Sequence, residues 1–269
     1  MPELPEVETT VRALNRAIAG RRIRSAWVGW RRLFERSPER RALPAALVGR
    51  RIYRVDRTGK FVCFRFASGA TLALHQKMSG RITIGAPDQY ARFTLTLDDG
   101  RQVVFSDKRK FGRGYFYRRA IGEPLTGLGP DAAALAADPA AFGQRLAARR
   151  GRIKSVLLNQ AVVAGIGNIY ADEILWRAKI HPVRLASVLT TVDHRRLAAA
   201  TRAVLGQAMR RGGTSFRDYL DPNLRRGTYW TVRAVYQRAG EPCRRCRTSI
   251  QKATVGGRGT HYCPTCQRV

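Results

Sequence analysis

The sequence has few acidic residues for its size. Its 269 residues include 19 Asp and Glu against 50 Lys and Arg, which gives a formal net charge of +31. Such an excess opposes compaction by self-repulsion, and it is accounted for if the usual partner is a polyanion whose phosphates the cations neutralise. A high-GC genome would explain the choice of Arg over Lys but not a net charge this large. The composition therefore favours nucleic acid as the partner.

Long apolar runs are also missing. No stretch approaches the roughly 18 apolar residues of a membrane span, and the N-terminal segment lacks the basic start and apolar run of a signal peptide. We therefore expect a cytosolic protein that has no membrane partner. Cysteine is scarce, at five residues, and in the cytosol cysteines favour a metal site or chemistry over disulfides.

The hydrophobic pattern changes along the chain. Val7, Val11, Leu14 and Ile18 fall at helical spacing after an acidic, proline-containing start, which predicts an N-terminal helix. Short runs such as "RIYRV", "KFVCFRF" and "ARFTLTLDDG" follow, and their alternation predicts an antiparallel sandwich or barrel. The stretch "LDDGRQVVF" predicts a hairpin with Asp-Gly at its turn.

The second half of the chain reads as helical. A stretch rich in Gly, Pro and Ala separates it from the strands, and "RIKSVLLNQAVV", "IYADEILWRA" and "VDHRRLAAATRAVLGQAMRR" are helix candidates. We therefore expect an α+β fold with four parts. These are a helix and β-sandwich at 1–120, a linker at 121–134, a helical domain at 135–239 and a cysteine-bearing tail at 240–269.

The tail has the spacing of a four-thiolate zinc site. Cys243, Cys246, Cys263 and Cys266 form a C-x2-C, x16, C-x2-C pattern. Four thiolates leave no open position, so we expect one structural Zn2+ and no catalytic metal. Two redox pairs are the alternative, but the strand and helix context of thioredoxin is absent. Cys63, which alternates with phenylalanines, is predicted to be a small buried hydrophobe.

Several motifs occur together in one order. They are "PELPEVE" at 2–8, "MSG" at 78–80, "RKFG" at 109–112, "GIGNIYADE" at 165–173 and the closing cysteines. Together they resemble the formamidopyrimidine-DNA glycosylase/endonuclease VIII family of bacterial base-excision repair enzymes, over essentially the whole chain. "PELPEVE" favours the formamidopyrimidine branch. The resemblance implies a helix–two-turn–helix domain in the second half, a zinc hairpin, and damaged duplex DNA as partner. A monomer is the simplest expectation.

The resemblance gives the N-terminus a chemical role. Removal of Met1 would expose the secondary amine of Pro2, and an α-amino group titrates near about 8, against about 10.4 for lysine. Such an amine can attack the sugar C1′, displace a damaged base and form a Schiff base that leads to strand cleavage. Glu3 resembles the family's catalytic glutamate, and burial would raise its pKa toward that of a working acid. Lys60 matches a lysine that contacts the phosphate near the lesion. A helix lead-in would explain Pro5 and the later glutamates but gives Pro2 no role.

A glycosylase must take its base out of the stack and fill the gap. The family uses three side chains that match Met78, Arg109 and Phe111. Met78 and Phe111 would be core residues in most proteins, but "QKMSG" and "DKRKFGRG" are polar, charged loops, and exposed apolar tips there suit insertion.

Three further residues match the family's phosphate contacts. Asn168 precedes a helix candidate, where it would also suit an N-cap. Arg258 lies at the predicted hairpin tip, and His75 lies in a strand, where a histidine is usually structural.

The motifs depart from the family pattern in the loops. Lys77 stands where the family has Gly, and Lys108 and Lys110 stand where it has Pro and Arg. These changes leave the opposite-base preference open, and the loop expected to close over an everted purine, at 212–230, does not reveal the lesion. Two other functions stay open: an endonuclease VIII-like enzyme for oxidised pyrimidines, and a non-catalytic zinc-ribbon protein that binds nucleic acid.

Overall fold

The computed structural model describes residues 1–37, 40–215 and 219–268. Its contacts form two compact units, Met1–Thr126 with Arg211–Thr228 and Gly127–Arg210 with Tyr229–Val269. The first unit thus includes residues 211–228, which we call the late segment and which the sequence pattern assigns to the helical domain. The boundaries of the four predicted parts stay a prediction. Within the described ranges, no helix has the length and apolar character needed to cross a bilayer.

Helix α1 spans Leu4–Ile18, as the spacing of its apolar residues predicts. Pro5 lies in the first turn, where its missing N–H costs no helical hydrogen bond. The Glu3 N–H donates to the Glu6 carboxylate at 2.8 Å, which is a capping-box contact. The helix therefore begins almost at the N-terminus, and its apolar stripe is buried in the core of the first unit.

Two four-stranded antiparallel sheets form the body of the first unit. Their strand orders are β1-β6-β7-β5 and β2-β3-β4-β8. The strands are β1 (Ile23–Val28), β2 (Ile52–Thr58), β3 (Phe61–Phe66), β4 (Thr71–His75), β5 (Gly80–Ile84), β6 (Ala91–Leu97), β7 (Gln102–Asp107) and β8 (Arg113–Tyr117). Phe64, Phe93 and Phe116 lie in one core that both sheets share with α1. The predicted fold class is confirmed, and the β6–β7 hairpin turns at the predicted Asp-Gly.

Short helical segments that the pattern does not predict cover the β1 edge. A 3-10 turn spans Arg31–Phe34 and helix α2 spans Leu43–Leu47. Leu33, Phe34 and Leu43 are 0–1% exposed and join the core, which is why these short segments fold.

The second unit contains five helices in its described residues: α3 (Ala132–Leu135), α4 (Pro139–Ala147), α5 (Ile153–Leu158), α6 (Asn168–Ala178) and α7 (Thr191–Arg210). It also has 3-10 turns at Ala186–Val188 and Tyr229–Val232, and a hairpin of β9 (Gln251–Val255) and β10 (Arg258–Tyr262). Helix α5 ends sooner than "RIKSVLLNQAVV" predicts. The Asn159 side chain accepts the Ala161 N–H at 3.0 Å, which offers the backbone an alternative to the helix.

Candidate active site and nucleic-acid interface

The N-terminal residues are held inside the first unit. Pro2 and Glu3 are buried, and Glu3 is 3% exposed. One Glu6 oxygen accepts the Glu3 N–H at 2.8 Å, and the other accepts the Thr214 N–H at 2.6 Å. Glu6 therefore fixes the start of the chain against the late segment.

This role of Glu6 is not predicted from the sequence, which places it only in a favourable first helical turn. The Glu6 carbonyl also accepts the Tyr219 hydroxyl at 2.9 Å. Gly213 has a φ of 80°, and a Cβ there would lie 2.6 Å from a Glu6 oxygen, so the close approach requires glycine. The three-residue spacing of Glu3 and Glu6 signals the capping contact. No local signal exists for a partner 208 residues away.

Lys60 lies immediately before β3, and His75 is the last residue of the adjacent strand β4 in the same unit. Lys60 is 5% exposed and precedes Phe61, which pairs with His75 across β3 and β4. His75 Nδ1 accepts the Lys77 backbone N–H at 3.0 Å, so a neutral ring carries its proton on Nε2. Burial, and then the charges of Lys77, Lys60 and the chain's N-terminus, lower the pKa of His75 well below its ordinary value. His75 is therefore a neutral hydrogen-bond donor, and it lies close enough to Lys60 and to the N-terminus to feel both charges.

The apolar residues of the two charged loops are exposed, as predicted. Met78 is 48% exposed and Phe111 is 46% exposed. The Arg109 guanidinium lies 4.8 Å from the centroid of the Phe111 ring. Neither apolar side chain belongs to the core, so both are available to a partner.

A buried carboxylate joins these two loops. Asp107 is 0% exposed and accepts the Ser79 hydroxyl at 2.6 Å and the Arg109 N–H at 3.2 Å on one oxygen. Its other oxygen accepts the Gly112 N–H at 2.7 Å. Asp107 thus holds the "MSG" and "RKFG" loops together. This role is not predicted from the sequence, although a lone acidic residue at the start of a basic loop is a usable signal.

Two lysines in these loops adopt a left-handed backbone. The φ angle is 52° at Lys77 and 57° at Lys110. Glycine adopts this conformation without strain, whereas a side chain makes it less favourable. This conformation accounts for the family's glycine at the Lys77 position. With lysine there, the loop keeps its shape at some cost in backbone free energy.

In the second unit, Asn168 and the hairpin turn lie together. Asn168 is the first residue of α6 rather than its N-cap, which is Gly167. Its Nδ2 donates to the Gly259 carbonyl at 3.0 Å, next to exposed Arg258, which begins β10 after the turn. Two of the three residues predicted as further phosphate contacts, Asn168 and Arg258, are therefore brought to one place. Asn168 borders a groove of about 470 Å³ that Lys252, Gly259 and His261 also line.

A fully buried ion pair sets the position of this hairpin. Lys154 and Asp172 are both 0% exposed, and Lys154 Nζ lies 2.7 Å from an Asp172 oxygen. Lys154 also donates to the Gly259 carbonyl at 3.0 Å and to the Thr260 hydroxyl at 2.8 Å. Asp172 accepts the His261 N–H at 2.8 Å. One charged pair therefore holds helices α5 and α6 against β10, and the sequence pattern does not predict it.

The four cysteines of the tail fit a zinc ion. Their sulfur atoms lie within 4.8 Å of one another, and individual Sγ···Sγ distances of 3.3, 3.4 and 4.0 Å bracket the edge of about 3.8 Å that a tetrahedron with bonds of about 2.3 Å requires. Backbone N–H groups of Arg245 and Cys266 point at Cys243 and Cys263 sulfurs at 3.4 and 3.5 Å, an arrangement that suits thiolates. A structural zinc is therefore confirmed as the expected metal. The fifth cysteine, Cys63, is 0% exposed, and burial raises the pKa of its thiol to about 11.

One aromatic side chain of α6 contacts the metal site. The Trp176 indole N–H donates to Cys243 Sγ at 3.4 Å. The Arg245 guanidinium stacks on the Trp176 ring at 4.3 Å and donates to the Trp176 carbonyl at 3.3 Å. Trp176 thus links α6 to the zinc hairpin.

Models of known families match three consecutive parts of the chain. They are the formamidopyrimidine-DNA glycosylase N-terminal domain at residues 1–114, the H2TH domain of the same enzymes at 128–219, and a zinc finger found in FPG and IleRS at 240–269. Their order defines the class as zinc-finger DNA glycosylases.

Individual relatives agree with that class. A formamidopyrimidine-DNA glycosylase of Chloroflexus aurantiacus is 41% identical and one of Roseiflexus is 43% identical, covering 99% and 100% of this chain and 98% and 100% of theirs. The crystal structure of the Thermus thermophilus MutM (Fpg) protein superposes with a TM-score of 0.89 at 39% identity, over 99% of this chain and 98% of that one. A Lactococcus lactis mutant in complex with Fapy-dG-containing DNA gives 0.89 at 33% identity over both full chains. The chain belongs to the formamidopyrimidine-DNA glycosylase family, as its motifs predict.

Proposed function

We propose that this chain removes oxidised purines, namely 8-oxoguanine and formamidopyrimidines, from duplex DNA and then cleaves the strand at the resulting abasic site. The observation that carries the proposal is the N-terminus. Pro2 and Glu3 are buried and fixed by Glu6, close to Lys60 and His75, although an N-terminus that merely led into a helix would need no such order.

The proposed reaction starts at the Pro2 nitrogen after removal of Met1. Its lone pair forms a bond to C1′ while the glycosidic bond breaks, and the electron pair leaves with the base, which takes up a proton. Glu3, buried beside the nucleophile, protonates the sugar ring oxygen as the ring opens to the iminium. The iminium acidifies the C2′ proton. Its loss expels the 3′ phosphate, a second elimination expels the 5′ phosphate, and water then releases Pro2.

The remaining site residues hold the DNA in this scheme. Lys60 and neutral His75 bind the phosphate at the lesion in the first unit, while Asn168 and Arg258 bind backbone phosphates in the second. Met78 and Phe111 fill the gap that the everted nucleotide leaves in the base stack, and Arg109 hydrogen-bonds the orphaned base. The exposure of Met78, Arg109 and Phe111, and the cations around them, support the roles of these three side chains.

The zinc site has no part in the chemistry. Four cysteine ligands fill the coordination sphere, so the metal folds the hairpin that carries Arg258 and provides no open position for substrate. We further propose that the protein acts as a monomer on chromosomal DNA of a bacterial cytoplasm, as its bacterial relatives suggest.

A borohydride trapping experiment tests the chemistry. The protein is incubated with a duplex carrying 8-oxoguanine opposite cytosine, and borohydride reduces the iminium to a stable protein–DNA bond. Digestion should map that bond to residue 2, Pro2→Gly should greatly reduce it, and Glu3→Gln should slow base release. Absence of both the trapped band and strand scission on abasic DNA would mean that the protein only binds DNA. Faster excision of thymine glycol than of 8-oxoguanine would instead indicate the oxidised-pyrimidine activity.

A further inference from the structure

A cavity at the edge of the first unit lies outside the residues assigned so far. It has a volume of about 640 Å³ and opens between the end of β1, the 3-10 turn at Arg31–Phe34 and α2. We call it the arginine pocket, after the four arginines that line it: Arg31, Arg32, Arg40 and Arg41. Among the described residues of its wall, Glu35 is the one acidic side chain.

An exposed aromatic ring forms another wall of the arginine pocket. Trp27 is 53% exposed, which is unusual for so large an apolar side chain. Its ring folds back over Gly29 so closely that a Cβ there would lie 2.0 Å from it. The ring is therefore positioned by contact with the backbone while one face stays open. Exposed aromatic rings beside guanidinium groups are typical of surfaces that bind nucleic acid.

The charges of the arginine pocket are not neutralised within the described part of the chain. Arg40 donates to the backbone carbonyl of Glu35 at 3.2 Å, and none of the four guanidinium groups forms an ion pair with a described carboxylate. Clustered like charges repel, and a polyanion relieves that repulsion. Basic proteins in general have solvated surfaces of this composition, so the location of the arginine pocket is what distinguishes a binding site from such a surface.

The arginine pocket lies at the same end of the strands of this sheet as the "RKFG" loop. The N–H groups of Gly29 and Trp30 donate to the Arg92 carbonyl at 3.0 and 3.3 Å, and Arg92 Nε donates to the Asp107 carbonyl at 3.1 Å. The end of β1 is therefore two strands from Asp107, or roughly 10 Å at about 4.8 Å per strand. That distance is about three base-pair steps along a duplex.

Further cations connect the arginine pocket to the other loop. Lys77 precedes Met78, and its pKa is lowered by burial and then by the charges of Arg113 and Arg36. Arg36 follows the 3-10 turn that lines the arginine pocket. Positive charge thus continues from the pocket through Arg36 to the loop that carries Met78, and an extended polyanion fits this layout better than a compact acidic partner.

We propose that the arginine pocket binds the sugar-phosphate backbone of the duplex about three to five base pairs from the point of insertion, as a second anchor beyond the lesion. The inference rests on the proposed function, because it takes the "RKFG" loop as the point where the duplex is opened. Phosphate contacts supply affinity and register but no base reading, so the anchor would act on every sequence alike.

The test compares duplexes with different flanks. Two lesion duplexes carry about ten base pairs on one side of 8-oxoguanine and about two on the other, in mirror-image designs, and a third has about ten on both sides. Binding to each is measured over a range of salt for the parent, for Arg31→Ala/Arg32→Ala and for Arg40→Ala/Arg41→Ala. Arg16→Ala/Arg24→Ala removes the same charge from exposed positions on α1 and at the far end of β1, and serves as the matched control.

The parent should lose affinity when one particular flank is shortened. Each pocket variant should bind the long duplex with a salt slope smaller by about 0.9 per lost phosphate contact, hence by up to about 2, and should lose the parent's preference for the long flank. The control should keep the parent's salt slope and its preference for the long flank. Excision of 8-oxoguanine from the duplex that lacks the anchoring flank should be equal in all four proteins, which separates this proposal from the chemistry. Equal slopes and flank preferences in parent and pocket variants would overturn it. So would a pocket-dependent affinity for polyglutamate without one for the flank, since that outcome would assign the arginine pocket to an acidic protein.

Discussion

Replacing Asp107 with alanine tests whether one carboxylate sets the position of both insertion loops. The substitution removes three hydrogen bonds, from the Ser79 hydroxyl and from the N–H groups of Arg109 and Gly112. The first two groups are only partly buried, so water can replace the lost oxygen. The Gly112 N–H is buried and loses its acceptor outright.

The expected magnitude follows from the Gly112 contact. A hydrogen bond to a charged acceptor contributes about 1.5–3 kcal/mol, and the partly buried contacts add little, so we expect the free energy of opening the loop to fall by about 2–3 kcal/mol. This corresponds to roughly 30- to 150-fold faster amide exchange at Gly112. The sheet itself should keep its protection, because the strands on either side of Asp107 retain their pairing.

Amide hydrogen exchange, followed by mass spectrometry or NMR, measures this change, and excision kinetics on 8-oxoguanine duplex measure its consequence. We expect a lower kcat/KM with unchanged global unfolding. Asp99→Ala is the matched control, because Asp99 lies in the turn at the other end of the same hairpin and pairs with Arg101 and Arg21 rather than with either insertion loop. Exchange at Gly112 equal to that of the parent would refute the assignment of Asp107 as the residue that positions the loops.

Three further predictions concern buried or partly buried groups. Lys154→Ala should cost about 3–5 kcal/mol in calorimetric or denaturant unfolding, since it leaves the buried Asp172 carboxylate without its cation; a loss below about 1 kcal/mol would show that the pair does not hold the hairpin. Trp176→Phe removes the N–H that reaches Cys243 Sγ and should weaken zinc retention by about 10-fold in a chelator-competition assay, with unchanged retention as the contrary outcome. Because the pKa of His75 is lowered on folding, the unfolded chain binds more protons below about pH 6.5. The free energy of unfolding should therefore fall as the pH drops through that region, by up to about 1.4 kcal/mol per pH unit from this group. Unfolding of His75→Gln between pH 5 and 7 should show a shallower slope, and identical slopes would contradict the burial argument.

Local patterns account for much of the fold. Apolar spacing predicts α1, alternation and the Asp-Gly turn predict the strands around β6 and β7, and the cysteine spacing predicts the zinc site. Each of these features depends on residues close in sequence, or on a side-chain set that suits only one metal geometry. The patterns fail where a single side chain competes with the backbone, as Asn159 does at the end of α5.

The remaining features depend on partners far apart in sequence. Glu6 contacts Thr214, and Lys154 contacts Thr260, over separations of 208 and 106 residues. Neither contact follows from periodicity, because charged residues at these positions suit an exposed helix face equally well. The roles of Pro2 and Lys60 come from the family resemblance, since composition alone cannot distinguish a nucleophile from a helix start.

The contact between Glu6 and the late segment has a consequence for the order of synthesis. Glu6, which fixes the start of the chain, finds the partners of its carboxylate and of its backbone carbonyl, Thr214 and Tyr219, only after most of the polypeptide has been made. A ribosome adds roughly 5–20 residues per second, so the N-terminal amine would wait on the order of ten seconds or more beside an incomplete unit. A truncated product that ends at the linker would keep every strand of the sandwich and still lack the Thr214 and Tyr219 groups that bind Glu6. Interrupted synthesis at the linker would therefore yield a fragment that has its strands but lacks the long-range contacts of Glu6.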